Sequence, residues 1–192
     1  AYEISTRDWS SDVCSSDLRR VSAHGASLAL EIAAFHLRVG SDTDLVRAHD
    51  IAMRTQTVLN SERTAWLRSQ ALLIQAEVAL RRKDPHGCLL AVDSATALTP
   101  DWDRPWALSL RAHAHELLGD TAAAVTEAEA AARAIRQTSG QLRRTDELAE
   151  PWEVLAALFR RLGQPEQAWE CMRQAVAGAG VPTTLVELAT AR

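Results

Sequence analysis

The feature that most constrains this chain is a rhythm of helical stretches and short breaks running from Arg19 to the end. The breaks fall at Gly40-Ser41-Asp42, Asn60-Ser61, Asp84-Pro85, Pro100-Asp101, Gly119-Asp120, Ser139-Gly140, Gly163-Gln164-Pro165 and Gly178 to Pro182. Between them apolar residues recur three and four apart, as in Leu72, Ala76, Ala79, Leu80 and in Leu155, Leu158, Phe159, Leu162, the spacing that puts a stripe on one face of a helix. Asp84 before Pro85 supplies a helix N-cap followed by a first-turn proline, and Gln164-Pro165 does so less strongly. Gly119 and Gly163 stand where a helix ends, because glycine accepts the left-handed conformation found there. No alternation of Val, Ile and Thr competes as a strand. The expectation is an all-α chain of about eight helices, joined by turns short enough to make consecutive helices antiparallel.

The hairpins so defined resemble one another, which calls for a test of internal repetition. The last reads PWEVLAALFRRLGQPEQAWECMRQAV and places Trp152, Leu155, Ala156, Phe159, Gly163, Ala168, Met172 and Ala175 in the spacing of a tetratricopeptide repeat. Small residues at Ala156, Ala168 and Ala175 let helices approach, and Trp152, Phe159 and Met172 are expected to fill the gaps between them. Looser copies supply Leu108, Ala112, His115, Gly119, Ala124, Ala128 and Ala131, then Leu72, Ala76, Ala79, Cys88, Val92, Ala95 and Pro100. The first copy, about residues 27–59, offers Ile32, Ala33, Gly40, Ala48 and Ala52. Residues 27–177 thus resemble a tetratricopeptide-repeat domain. The resemblance implies about four antiparallel hairpins stacked as a right-handed superhelix over residues 19–180. The matching turn positions Gly40, Lys83, Gly119 and Gly163 depart from the family's spacing of about 34 residues, so loops are expected to vary, above all around 138–146. The rival is an irregular bundle with coincidental alanine spacing. Residues 181–192 read as a short capping helix or tail, since Thr184-Leu185-Val186-Glu187 has the form of a capping box, and terminal repeats need a shield.

The first eighteen residues are unlike the rest. Asp8 to Leu18, DWSSDVCSSDL, resembles the in-frame translation of a sequencing-library adapter. Residues 1–18 are therefore set aside as a disordered, artefactual segment, and the expectation follows that genuine sequence before Arg19 has been lost. Over the whole chain the apolar fraction of 47% suffices for a core, though much of it is alanine, which buries little area per residue. A net charge of −4 argues against direct nucleic-acid binding, which needs a basic surface. No apolar run reaches the roughly 18–20 residues of a membrane span, and no secretory signal is visible. Cys14, Cys88 and Cys171 are odd in number and lack CxxC spacing, which fits a reducing cytoplasm.

Chemistry-bearing motifs are weak. His115-Glu116 begins like a zinc-protease helix, but Gly119 stands where the second histidine is required. His113 and His115, two apart, point in different directions on a helix. Cys88 and Cys171 read as buried thiols. No P-loop, nucleophile elbow or dinucleotide fingerprint occurs. Asp42/Asp44 and Asp101/Asp103 read as helix-start charges. The pairs Arg81-Arg82, Arg143-Arg144 and Arg160-Arg161 read as solvated or ion-paired faces. Trp66, Trp106, Trp152 and Trp169 read chiefly as core wedges, with Trp102 and Trp106 the better candidates for partly exposed anchors. The expectation is no catalytic residue, no metal and no cofactor.

Recognition then falls to surface shape. In a tetratricopeptide stack the first helices line a concave face, and the resemblance implies that Gln70, Glu77, Arg81, Trp106, Ser109, His113, Glu116, Glu153, Arg160 and Arg161 lie on it. That mixture suits an extended protein or peptide segment held by charge-assisted hydrogen bonds and one apolar anchor. The segment LAEPWEVLAALFRRLGQPEQAWECMRQAVAGAGV is also similar to the C-terminal end of repeat domains in actinobacterial helix-turn-helix regulators, and LLIQAEVALRRKDPHGCLLAVDSATAL to their middle repeats. This second resemblance implies a regulatory module that senses a peptide or forms homo-oligomers behind an N-terminal DNA-binding domain. The alternative is a free-standing adaptor, or a repeat region of another multidomain protein such as one with an ATPase.

Overall fold

The computed structural model describes residues 23–59, 61–138 and 149–178. The segments 1–18, 138–146 and 181–192 singled out in the sequence fall, Thr138 apart, outside the described residues. Among the described residues there are eight α-helices: α1 (Ala23–Val39), α2 (Asp42–Val58), α3 (Ala65–Arg81), α4 (Pro85–Thr96), α5 (Arg104–Leu117), α6 (Thr121–Thr138), α7 (Ala149–Arg161) and α8 (Pro165–Gly178). A 3₁₀ turn, Glu62–Thr64, leads into α3. No strand occurs among the described residues, so the chain is all-α as expected.

Four turns fold the helices into hairpins α1/α2, α3/α4, α5/α6 and α7/α8. Each turn passes through one residue of positive φ: Gly40 at 75°, Lys83 at 59°, Gly119 at 77° and Gly163 at 71°. In the last three the backbone closes identically. The Lys83, Gly119 and Gly163 amides donate to Leu80, Glu116 and Arg160, and the next amide reaches Ala79, His115 and Phe159 at 2.9, 3.0 and 2.9 Å. This bond pair caps the helix C-terminus. The following residue then caps the next helix: Asp84 accepts from Gly87 N at 2.9 Å and Asp120 from Ala123 N at 3.0 Å. At the first turn Ser41 Oγ accepts from Asp44 N, while His36 Nδ1 sits 2.8 Å from Asp44 Oδ1 across the hairpin. Ser41 Oγ also donates to the Asp44 carboxylate, and that bond first, then His36, holds the carboxyl below the usual carboxylate range.

Counted from that turn residue, the four hairpins share a register. Seven residues before it stand Ala33, Ala76, Ala112 and Ala156; twelve after it stand Ala52, Ala95, Ala131 and Ala175. All eight are buried. A methyl group at both places brings the helix backbones together, which is how a chain with so much alanine gains packing density. Hairpins pack in chain order: α1 touches α3, α3 touches α5 and α5 touches α7, while each of α2, α4 and α6 packs on the next odd helix. Three cores follow from this. The first joins α1 and α2 to α3 through Leu30, Leu37, Leu45, Leu67 and Val78. The second joins α3 and α4 to α5 through Leu73, Cys88, Val92 and Leu110. The third joins α5 and α6 to α7 and α8 through Ile135, Trp152, Leu155, Leu158 and Phe159. Trp66 and Trp106 pack at core margins. Met172 and Trp169 do not fill gaps as the sequence suggested; both lie exposed on α8, because no further helix covers that face among the described residues.

Two stability tests follow. Lys83 alone among the four turn residues carries a side chain in the left-handed region, which costs roughly 1–2 kcal/mol. Lys83→Gly is expected to raise stability by about 0.5–1 kcal/mol once glycine's extra chain entropy is subtracted, read as a higher denaturation midpoint at constant m value. Ala156→Leu, placed between closely approaching helices, should cost roughly 1–3 kcal/mol by overpacking; an unchanged melting temperature would contradict the register.

Candidate functional site

The odd helices α3, α5 and α7 lie side by side, and the ten residues expected on their shared face divide into four groups. The first is a cluster between α5 and α7. Arg161 Nε donates to Glu116 Oε1 at 2.6 Å and Arg161 Nη2 to Glu116 Oε2 at 2.9 Å, a two-pronged pairing that a guanidinium and a carboxylate form because their planes match. The pair keeps Arg161 charged, its hydrogen bond to Glu116 raising its pKa. His113 stands one helical turn before Glu116. Its pKa is lowered, first by burial and then by the Arg161 charge, with Glu116 opposing, so at neutral pH it presents a neutral imidazole able both to donate and to accept. The cluster is therefore a charged pair beside an uncharged hydrogen-bonding ring.

The second group lies between α3 and α5. Gln70 on α3 hydrogen-bonds Asp103, the residue that precedes α5. Burial pushes the Asp103 carboxyl up to about 6, with the Gln70 bond opposing. Asp103 Oδ2 is enclosed and has no hydrogen-bond partner, so one acceptor stays unsatisfied. The sequence reading took Asp103 for a helix-start charge. It missed the burial because only the folded chain creates it; the Gln70–Asp103 pairing spans two hairpins. The third group is Glu77 and Arg81, paired along α3 at 2.9 Å, and Glu153 and Arg160, both exposed on α7.

The fourth group presents little to a partner. Ser109 is buried and its hydroxyl donates to Pro105 O at 2.9 Å within its own helix. Trp106 is partly buried, wedged between the first and second cores. Trp102 is the exposed member of that pair, at 57%. Two clefts among the described residues include none of His113, Glu116 and Arg161 in their linings. One of about 270 Å³ lies between α4 and α5 and includes Thr96, Asp101, Arg104 and Arg111; the other, about 390 Å³, lies where α2, α3 and α4 meet. A face made by parallel helix stripes is broad and open, so enclosed volume is a poor guide to it, and the side-chain pairing across helices is the better one.

Nucleophile chemistry has little support here. Cys88 is buried, its thiol pushed up to about 12 by burial and then by Asp84 and Glu77; its Sγ sits 3.7 Å from Leu110 O. Cys171 is pushed up to about 11, again by burial first. Both stay protonated at neutral pH and lack the thiolate that reacts. Among the described residues no three His, Cys, Asp or Glu side chains are grouped to hold a metal, and no helix is long and apolar enough to cross a membrane.

The raised Asp103 carboxyl has a measurable consequence. The folded state holds its proton more tightly than the unfolded chain, so this group destabilises the fold above about pH 6. The penalty is relieved as pH falls towards the unfolded value near 4. Asp103→Asn should stabilise the protein by on the order of 1 kcal/mol at pH 7.5, the figure being reduced for solvent screening. The gain should vanish near pH 4.5; a constant difference across that range would show that Asp103 titrates normally. No known protein family, curated protein or solved structure matches this chain, so what it is rests on the hairpin register and the paired helix face.

Proposed function

We propose that this chain is a protein- or peptide-binding module of the tetratricopeptide type, which recognises an extended segment along the face of α3, α5 and α7. The observation that carries the reading is the cross-helix pairing of Glu116 with Arg161 beside His113. It lies on a stack whose four turns each pass through one left-handed residue. A fixed ion pair next to a neutral imidazole offers an extended backbone both donors and acceptors. Arg160 and Glu153, exposed on the same helix, add charge that a partner's side chains complement. Trp102, exposed near the start of α5, supplies an apolar anchor of the kind that dominates such interfaces. The resemblance to repeat domains of actinobacterial helix-turn-helix regulators places the module, in this reading, as the sensor half of a cytoplasmic transcriptional regulator.

The test is selection followed by reversal. A phage-displayed library of random peptides panned on the immobilised chain should enrich a family of sequences. Synthetic peptides from that family should bind by fluorescence polarisation and weaken at high salt. Arg160→Glu combined with Arg161→Glu should reduce binding at least about tenfold, or roughly 1.4 kcal/mol, while circular dichroism stays unchanged. Peptides that bind the double variant as well as the parent would remove the face from consideration.

A further inference from the structure

Helix α1 carries an apolar stripe that nothing covers among the described residues. Leu28, Ile32, Phe35 and Val39 recur at helical spacing and are 50, 37, 56 and 55% exposed. The hairpin register shows why this is unusual. The positions matching Leu28 and Phe35 are Ala71 and Val78 on α3, and Ala107 and Ala114 on α5, and all four are buried. On α3 they pack into the core shared with α1 and α2; on α5 they pack into the core shared with α3 and α4. This is the face on which each hairpin receives the one before it. On α1 the same face is larger and more apolar than its counterparts, and it is bare. Four neighbouring apolar residues at that exposure form the type of patch that marks an interaction site.

The stripe is self-complementary. Reflection about the point between Ala33 and Ala34 exchanges Leu28 with Val39 and Ile32 with Phe35. Two copies of α1 laid antiparallel around a two-fold axis therefore place each apolar residue opposite another. Charge follows the same symmetry. Glu31 and Arg38, seven residues apart, lie on one flank of the stripe, and a perpendicular two-fold axis brings like flanks together. At 1.5 Å per residue, Glu31 of one copy and Arg38 of the other then stand within about 3 Å along the helix axis. Both side chains are exposed and neither makes an ion pair among the described residues. On α3 the matching face receives Leu30, Leu37 and Leu45 of the hairpin before it; on α1 it is the reciprocal placement of the apolar residues and of Glu31 and Arg38 that suits a second α1.

We propose that α1 is a homodimerisation helix, pairing antiparallel with α1 of a second copy through Leu28, Ile32, Phe35 and Val39 and through reciprocal Glu31–Arg38 ion pairs. A 17-residue helix on each side is a small interface, near the lower bound for specific association, so the dimer is concentration-dependent. The α3–α5–α7 face is left open in each copy, and two such faces would be presented by one assembly.

Light scattering coupled to size exclusion, with sedimentation equilibrium of the full chain from about 1 to 200 µM, reads the proposal. The chain should pass from monomer to dimer across that range. Phe35→Glu should weaken self-association at least tenfold with helix content unchanged. Glu31→Arg and Arg38→Glu should each weaken it, and the double charge swap should restore it. A chain that stays monomeric throughout overturns the proposal and leaves the stripe to another partner. A dimer indifferent to Phe35→Glu places the interface elsewhere and equally overturns it. Failure of the double swap to restore what the single reversals lose rules out the antiparallel register.

Discussion

Close approach of helix backbones at alanine is the interaction on which the rest of this structure depends. Alanine supplies much of the apolar content of this chain, and each alanine removes little area from water. The chain gains cohesion only if helices come near enough for backbone and methyl contacts to accumulate, since dispersion is weak per atom pair and large in sum. The eight alanines seven residues before and twelve residues after the turn residues meet that need. The left-handed turn residue enforces it, because it reverses the chain within two or three residues and fixes the phase of one helix against the next. Turn and alanine register thus act as one device, used four times.

Stacking these units has a structural price that shows at the ends. Interior hairpins bury both sides, so α3 and α5 carry small residues where neighbours press on them. At the first hairpin the matching positions are large and apolar, and at the last Trp169 and Met172 stand exposed. A quasi-one-dimensional stack always leaves two terminal faces, and each is capped, paired or exposed. The lateral faces are different. There the odd helices set polar groups from successive hairpins beside one another. The Glu116–Arg161 and Gln70–Asp103 pairings each bridge two consecutive hairpins. Recognition by such a surface is a property of the stack and not of any single repeat.

The turn positions, the eight helices and the hairpin pairing were legible in the sequence, because glycine, proline and capping residues act over three or four neighbours. Gly119 and Gly163 were recognisable as helix ends, and Lys83 was placed at the matching position although its side chain is disfavoured there. The candidate face was legible less evenly. Glu116 and Arg161 were both named but not as partners, since nothing local links residues on different hairpins. Ser109 and Trp106 were named as surface groups, yet Ser109 turns its hydroxyl to its own helix and Trp106 sinks between two cores. Asp103 was read only as a helix-start charge.

By itself, then, the sequence determined where helices begin, end and reverse, and which of their faces are apolar. The tertiary structure alone decided which polar groups lose water and which find a partner. The physical reason is one of range. Backbone preference and periodicity are settled within a turn or two of helix, whereas desolvation depends on whichever helix arrives from a distant part of the chain. Asp103 becomes a hard-to-ionise acid only because the folded chain buries it, and the stripe on α1 stands bare only because no described helix packs there.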